Sequence, residues 1–316
     1  MSNELGFETS AEEAARGIDL RGETIVVTGG SAGLGVETMR VLASCGAKLV
    51  SAVRDRSKGE AAIAQIRESV PDADIELAQL ELSDLDSVRR GAADIAKRFP
   101  RIDRLINNAG VMACPLGRTA QGLDLQLGTN HLGHFVLTSR LMPSLLAAAP
   151  GRIVNLSSAG HQISPMRFDD PFFEKEAYDK WEAYGQAKTA NILFSVGLDK
   201  RFKDRGLRSF AVHPGGIRTE LGRHLEPADI KAMMDRRGGQ EIVFKNVPQG
   251  AATTVWAATS KSLDGQGGLY CEDCHIAETV DEPGSNEGVM AYALDVAAAD
   301  RLWSLSEEWS GERFPD

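Results

Sequence analysis

Tyr184-Gly185-Gln186-Ala187-Lys188 sets a phenol and an ammonium four residues apart. On a helix 3.6 residues complete a turn, so the two side chains share one face. A neighbouring cation favours the phenolate, and a tyrosine with a lowered pKa can exchange protons near neutral pH. The spacing is common, and a surface helix with a half-buried tyrosine satisfies it equally. Its meaning depends on what the rest of the chain supplies.

A second chemical stretch lies near the start. Glu23-Thr-Ile-Val-Val-Thr28 is a short apolar run rich in β-branched residues, which predicts a buried strand. Thr28-Gly29-Gly30-Ser31-Ala32-Gly33-Leu34-Gly35 follows at once, and a helical pattern then runs through Val36, Met39, Val41 and Leu42 to Gly46. Strand, glycine-rich turn and helix together open a nucleotide-binding βαβ unit. The glycines let backbone N–H groups approach a pyrophosphate, and the helix N-terminus adds positive potential. An ordinary tight turn is the plainer alternative. The second strand, Ala47 to Val53, ends at Arg54. The residue there meets the adenosine ribose. An acid would accept from both hydroxyls of NAD, whereas an arginine suits the 2′-phosphate of NADP. Val53-Arg54 therefore favours NADP(H), with NAD(H) left open; a solvated Arg54 paired with Asp55 or Glu60 is the other reading.

These stretches need elements to hold them, and the pattern supplies alternating helices and strands. Helices are predicted over 57–70, 83–99, 121–149 (bent at Pro143), from the Tyr184 region to about Arg205, over 249–260 and around 300–309. Strands are predicted over 75–80, 101–106, 151–157, 207–212 and 267–270. Such alternation implies a doubly wound α/β parallel sheet of about seven strands with helices on both faces, whose ligands sit at the carboxyl ends of the strands. Residues 1–22 read as a lead-in, with Ser10 to Glu13 resembling a capping box and Gly17 closing that helix. Residues 23–316 read as one Rossmann-like domain, with 159–181 and 221–248 as a substrate-side insert and lid.

The chain has 316 residues, 42% hydrophobic and 25% charged, with a formal net charge of −10. This suits a soluble globular protein and disfavours nucleic acid and anionic membranes as partners. No apolar run is long enough to span a bilayer and the first twenty residues lack a secretory pattern, so a cytoplasmic location is expected. Four scattered cysteines make no disulfide framework.

Taken together, the motifs resemble the short-chain dehydrogenase/reductase family. They are Thr28-Gly-x-x-x-Gly33-x-Gly35, Asn107-Asn-Ala-Gly110, Asn130, Ser158 after a strand, Tyr184-x-x-x-Lys188 and Pro214-Gly215, in family order over roughly residues 20–275. The glycine spacing differs from that of the epimerase-like extended branch. Val53-Arg54-Asp55 with Lys58-Gly59-Glu60, the stretch Asn130 to Phe135, and Tyr270 to Cys274 are similar to retinol-dehydrogenase-like members, although no membrane anchor is present. The resemblance implies hydride transfer between a nicotinamide and an alcohol or carbonyl carbon. Tyr184 is then the proton donor or acceptor, Lys188 holds the nicotinamide ribose and lowers the Tyr184 pKa, Ser158 hydrogen-bonds the substrate oxygen, and Asn130 anchors a water that relays protons to Lys188. The family pattern selects Ser158 over Ser157. Gly29, Ser31, Gly33, Leu34 and Gly35 line the phosphates, and Arg54 takes the 2′-phosphate. Glu81 and Leu82 meet the adenine, Asn108, Ala109 and Gly110 the adenosine side, and Pro214, Gly215, Ile217 and Thr219 the nicotinamide. Glu81 stands where family members usually carry an aspartate. The family also implies a C2 homodimer through two long helices, or a last helix that covers part of that surface instead.

Two other patterns compete for a role. Cys271-x-x-Cys274-His275 has the spacing of covalent haem attachment, or is simply a strand end. His131 and His134 lie three apart on a helix without a nearby third ligand, so packing or solvent contact is expected rather than metal. Substrate clues lie in the insert, where His161, Met166, Phe168, Phe172, Phe173, Tyr178 and Trp181, with Leu221 and Met234, could form an apolar lid for a bulky hydrophobic or aromatic alcohol or ketone. They could equally pack the insert on the core. A non-catalytic NAD(P)-sensing regulator on the same fold is the alternative function. Such proteins tend to lack the Tyr or the Lys, and both are present here.

Overall fold

The computed structural model describes residues 5–229, 231, 243–283 and 287–315. Met234, Gly238 and Gly239 of the expected lid lie outside them. The capping box forms as read: Ser10 accepts from the Glu13 N–H and Glu13 accepts from the Ser10 N–H, opening the short helix α1, Ala11–Ala14. Gly17 follows with φ +77°.

Strands β1 (Thr24–Thr28), β2 (Lys48–Val53), β3 (Ile75–Gln79), β4 (Arg104–Asn107), β5 (Gly151–Leu156), β6 (Leu207–His213) and β7 (Leu269–Glu272) are all parallel, in the order β3-β2-β1-β4-β5-β6-β7. Covered on both faces, they are almost continuously buried; β5 has no exposed residue. This is why they read as unbroken apolar runs rather than alternating ones. The order reverses between β1 and β4, and their carboxyl ends carry Thr28 and Asn107.

The sheet has eight strands rather than seven. β8, His275–Ile276, pairs antiparallel with β7 through the two-residue turn Asp273-Cys274. Both turn residues have positive φ, 44° and 58°, as a tight hairpin turn requires. The Cys271-x-x-Cys274-His275 run is therefore a hairpin, and both thiols are buried in the core under the sheet. Beyond it, β9 (Thr279–Val280) and β10 (Val289–Met290) form a separate two-stranded piece.

Helices α2 (Gly33–Ser44), α3 (Arg56–Ser69) and α8 (Val247–Thr259) cover one face. Helices α4 (Leu85–Arg98), α6 (Gly133–Ala147) and α7 (Lys180–Phe202) cover the other. The long helix expected over 121–149 starts at Asp124, whose carboxylate caps α5, Leu125–Leu127, and passes through a π-turn, Gly128–Leu132, before α6.

Every residue from 183 to 199 is buried. One side of α7 meets the sheet, and the last helix α9, Val296–Ser310, lies along another. Trp303 of α9 packs edge-on against Phe135 of α6 and tilted against Phe194 and Phe202 of α7. The segment after α9 returns to α4 and α6, where Glu312 pairs with Arg89 and Arg140. The last helix and the segment after it thus cover parts of α6 and α7, as the alternative to a homodimer through two long helices had it. Sedimentation at micromolar concentration is expected to give the mass of one chain; a stable dimer would show that another face pairs.

Candidate active site

The glycines of the first turn are fixed by close approach. A Cβ at Gly29 (φ +72°) would stand 3.0 Å from Ala109 and Asn108, and one at Gly35 would come within 2.3 Å of the Gly29 carbonyl. Gly33 has φ +57°, a conformation that costs little only in glycine. The backbone is therefore bare and left-handed where a pyrophosphate would lie. Ser31, Gly33 and Leu34 remain partly accessible in this turn. These features fit a dinucleotide.

The loop after β6 closes over the same turn. The Thr219 methyl lies 3.5 Å from where a Gly33 Cβ would be, and Ile217 meets Leu34 at Gly250. Gly215 has φ +94° and rests on the Lys245 stem. Lys245 is itself buried and paired with Asp273 at 2.5 Å, which ties this loop to the β7–β8 hairpin. Arg54 and Glu81 stand together at the ends of β2 and β3, 3.4 Å apart. The Leu82 side chain packs into the core beneath Gly133.

A buried hydrogen-bond chain links the turn to the second cluster. The Thr28 hydroxyl accepts from the N–H groups of Asn108 (2.9 Å) and Ala109 (3.0 Å), and meets His134 Nε2 at 2.9 Å. With both acceptor positions used, the hydroxyl donates to Nε2, so Nδ1 of His134 carries the proton and donates to the Asn130 carbonyl at 2.9 Å. Burial pushes the His134 pKa down to about 4, which keeps the ring neutral. His131 is also buried; its Nε2 meets Ser306 Oγ. Among the described residues no group of three His, Cys, Asp or Glu could hold a metal.

The Asn130 side chain clamps Val111, accepting from its N–H at 2.8 Å and donating to its carbonyl at 2.9 Å. A Cβ on Gly110 would stand 3.0 Å from Asn130 Oδ1 and 3.7 Å from Lys188 Nζ, so Asn130 and Lys188 face each other across that glycine. Lys188 Nζ donates to the Leu156 carbonyl at 3.0 Å and sits 5.5 Å from the centre of the Tyr184 ring. The two serines separate as strand alternation requires. Ser157 Oγ donates to the Lys188 carbonyl, whereas Ser158 Oγ accepts from the Gly160 N–H, and a Cβ on Gly160 would stand 2.8 Å from the Tyr184 ring and 3.4 Å from Ser158 Oγ, so these two side chains border the same glycine. The sequence-predicted quartet of Asn130, Ser158, Tyr184 and Lys188 therefore converges.

The electrostatics of the pair run opposite to the sequence-based expectation. Burial pushes Tyr184 up to about 12. Burial likewise pushes Lys188 down to about 8. Desolvation outweighs mutual attraction in the protein alone.

Around Tyr184 the wall is apolar. Ala113 and Trp181 are buried against it, with Met112, Ile163 and Leu225 alongside. Of the insert residues expected to form a lid, Trp181 stands here. Met166, Phe168 and Phe172 pack on α7 and α9, Tyr178 donates to the Cys114 carbonyl, and His161 is buried beneath the Ser158 turn. Most of the insert's aromatics thus anchor it. Thr28, His134, Met112, Ala113 and Leu225 were not assigned to the site from sequence.

The chain belongs to the short-chain dehydrogenase family, whose model matches residues 23–229, and so is an NAD(P)-dependent oxidoreductase by family. It is 39% identical over 293 residues to a short-chain dehydrogenase/reductase, prx1, of Penicillium roqueforti, covering 91% of this chain and 85% of that one. It is 38% identical over 297 residues to human retinol dehydrogenase 12, covering 94% and 89%. A solved structure of an uncharacterized protein from Mycobacterium paratuberculosis superposes with a TM-score of 0.73 at 32% identity, covering 96% of this chain and 98% of that chain. Among the described residues no helix is long and apolar enough to cross a membrane.

The lysine shift has a consequence for stability. Lys188 falls from 10.5 unfolded to about 8 folded, so between these values the unfolded chain binds more protons and stability rises with pH. Below pH 8 the penalty of burying the ammonium is fully present. Wild type is therefore expected to gain stability relative to Lys188→Met as pH rises from 8 to 10.5, measured by urea unfolding; a constant difference would show that Lys188 is not desolvated.

Proposed function

We infer that the protein reduces a bulky hydrophobic or aromatic ketone or aldehyde, or oxidises the corresponding alcohol, with NADP(H) preferred over NAD(H). The observation that carries this reading is the meeting of Asn130 and Lys188 across Gly110, with the Tyr184 ring beside Lys188 and Ser158 sharing Gly160 with Tyr184, past the carboxyl ends of β4 and β5. The bound nicotinamide supplies or accepts the hydride.

Tyr184 gives its phenolic proton to the substrate oxygen as negative charge develops there. A phenol pushed up to about 12 stays protonated at neutral pH, which suits the reductive direction. Ser158 Oγ borders Gly160 with the Tyr184 ring, and its hydroxyl bonds the same substrate oxygen. Lys188 Nζ spends one hydrogen on the Leu156 carbonyl and keeps two for the ribose and for proton return. The Asn130 side chain is engaged with Val111, so its carbonyl, held by His134, is the group left to anchor a relay water. Gly29, Ser31, Gly33, Leu34 and Gly35 hold the phosphates, Arg54 the 2′-phosphate, Glu81 the adenine edge, and Pro214 to Thr219 the nicotinamide.

Tyr184→Phe removes the proton and leaves the ring. It is expected to lower kcat about 100-fold or more with cofactor affinity within a few-fold of wild type. A kcat within a few-fold would sink the mechanism. The apolar wall of Met112, Ala113, Ile163, Trp181 and Leu225 supports the substrate class. Across ketones graded by size, kcat/KM is expected to rise toward aryl and long alkyl members, and preference for small polar ketones would contradict it.

A further inference from the structure

The carboxyl ends of β2 and β3 border a recess of about 300 Å³ lined by Arg54, Gln79, Leu80, Glu81, Ser87 and Arg90. Two guanidinium groups from different elements converge on it, Arg54 from the end of β2 and Arg90 from α4. Both side chains are largely exposed, 75% and 71%. Each is loosely held by a carboxylate: Arg54 Nε is 3.4 Å from Glu81, and Arg90 Nη2 is 3.8 Å from Asp84. Charge-assisted bonds at full strength are about 2.7–2.9 Å, so neither arginine is committed to its partner.

The two carboxylates are less free than the cations they face. Glu81 Oε1 accepts from the Ser83 N–H (3.1 Å) and the Ser83 hydroxyl (2.9 Å), while the Glu81 N–H donates to Ser87 Oγ (3.0 Å). Asp84 caps α4 through the Asp86 N–H and accepts from Gln121. The acids are thus fixed by their own backbone surroundings, and the arginines are free to swing. A phosphate monoester carries close to two negative charges and offers three acceptor oxygens, so it can draw both guanidinium groups into bidentate contact. The Glu81 carboxylate cannot follow them out. It stays at the rim of the recess, where it repels the same anion. A glutamate in place of the shorter aspartate reaches back to Arg54, which makes it a counter-ion as well as an adenine-side group.

We propose that Arg90 is a second ligand for the cofactor 2′-phosphate beside Arg54, and that the Glu81 carboxylate is their competing counter-ion, so that the discrimination between NADP(H) and NAD(H) is set by these three side chains. The inference rests on the NADP(H) reading with Arg54 at the 2′-phosphate. It adds one residue that strengthens that preference and one that restrains it.

The test uses the full chain and two probes that differ only in the 2′-phosphate: adenosine 2′,5′-bisphosphate and 5′-AMP, titrated calorimetrically at low ionic strength. Wild type is expected to bind the bisphosphate more tightly. Arg90→Gln is expected to weaken the bisphosphate about threefold to tenfold, the scale of one charge at a solvated site, with 5′-AMP changed less than twofold. Arg90→Lys should recover part of the loss. Glu81→Gln is expected to tighten the bisphosphate by a similar factor, and raising the salt to 0.5 M should shrink both effects. If wild type prefers the bisphosphate but neither substitution alters that preference, this inference is overturned and the NADP(H) reading stands. Equal wild-type affinities for the two probes would overturn both.

Discussion

The Thr28 hydroxyl accepts two backbone N–H groups and donates to one imidazole, and through those three bonds β1, the segment after β4 and the start of α6 share a single buried anchor. A hydrogen bond of this kind contributes about 1 kcal/mol net, but leaving one buried partner unmet costs about 1–3 kcal/mol. Removing the hydroxyl would strand three partners at once. The anchor sits where strand order reverses, so the phosphate turn, Asn108 to Gly110 and the Asn130 segment cannot move independently. His134 extends it to the Asn130 carbonyl, and the Asn130 side chain extends it to Val111. The cofactor turn and the proposed proton-relay residue are therefore parts of one rigid network.

Against that scaffold the reactive pair is set by burial. Tyr184 and Lys188 are each only 4% exposed, and both are driven toward their neutral forms, about 12 and about 8. A neutral phenol is a proton donor in waiting. A lysine near 8 can take and release a proton close to physiological pH. The attraction expected from their four-residue spacing is present as geometry, but solvent exclusion by the apolar wall dominates it. In the proposed function that wall also faces the substrate, so the same side chains would serve both specificity and acid–base tuning.

Much of this was legible in the sequence because the signals were local. Parallel strands covered on both faces read as apolar runs, and the glycines at 29, 33 and 35 announce a turn that no Cβ could enter. Asn130, Ser158, Tyr184 and Lys188 carry a family order that fixes them without knowing where they meet. What escaped depends on long-range packing. The β7–β8 hairpin turns through Asp273 and Cys274 with no glycine or asparagine to mark it. The π-turn leaves no periodic trace, since it inserts one residue into an otherwise regular helix. The sequence left open whether the insert's aromatics form a lid or pack on the core, and whether the last helix covers the long helices, because the partners that decide both lie far along the chain. His134 read from sequence as a packing or solvent-facing residue; only its contacts to Thr28 and Asn130 show its place in the network.

The quartet of Asn130, Ser158, Tyr184 and Lys188 is proposed to turn over a carbonyl substrate with a nicotinamide cofactor. Its most direct test is to mix the protein with NADPH deuterated at C4 and a bulky aryl ketone, and to analyse the product by mass spectrometry while following absorbance at 340 nm. The account predicts loss of absorbance matched by carbinol carrying one deuterium on the former carbonyl carbon. Tight cofactor binding with no turnover across a broad carbonyl panel would contradict it and favour a sensing role.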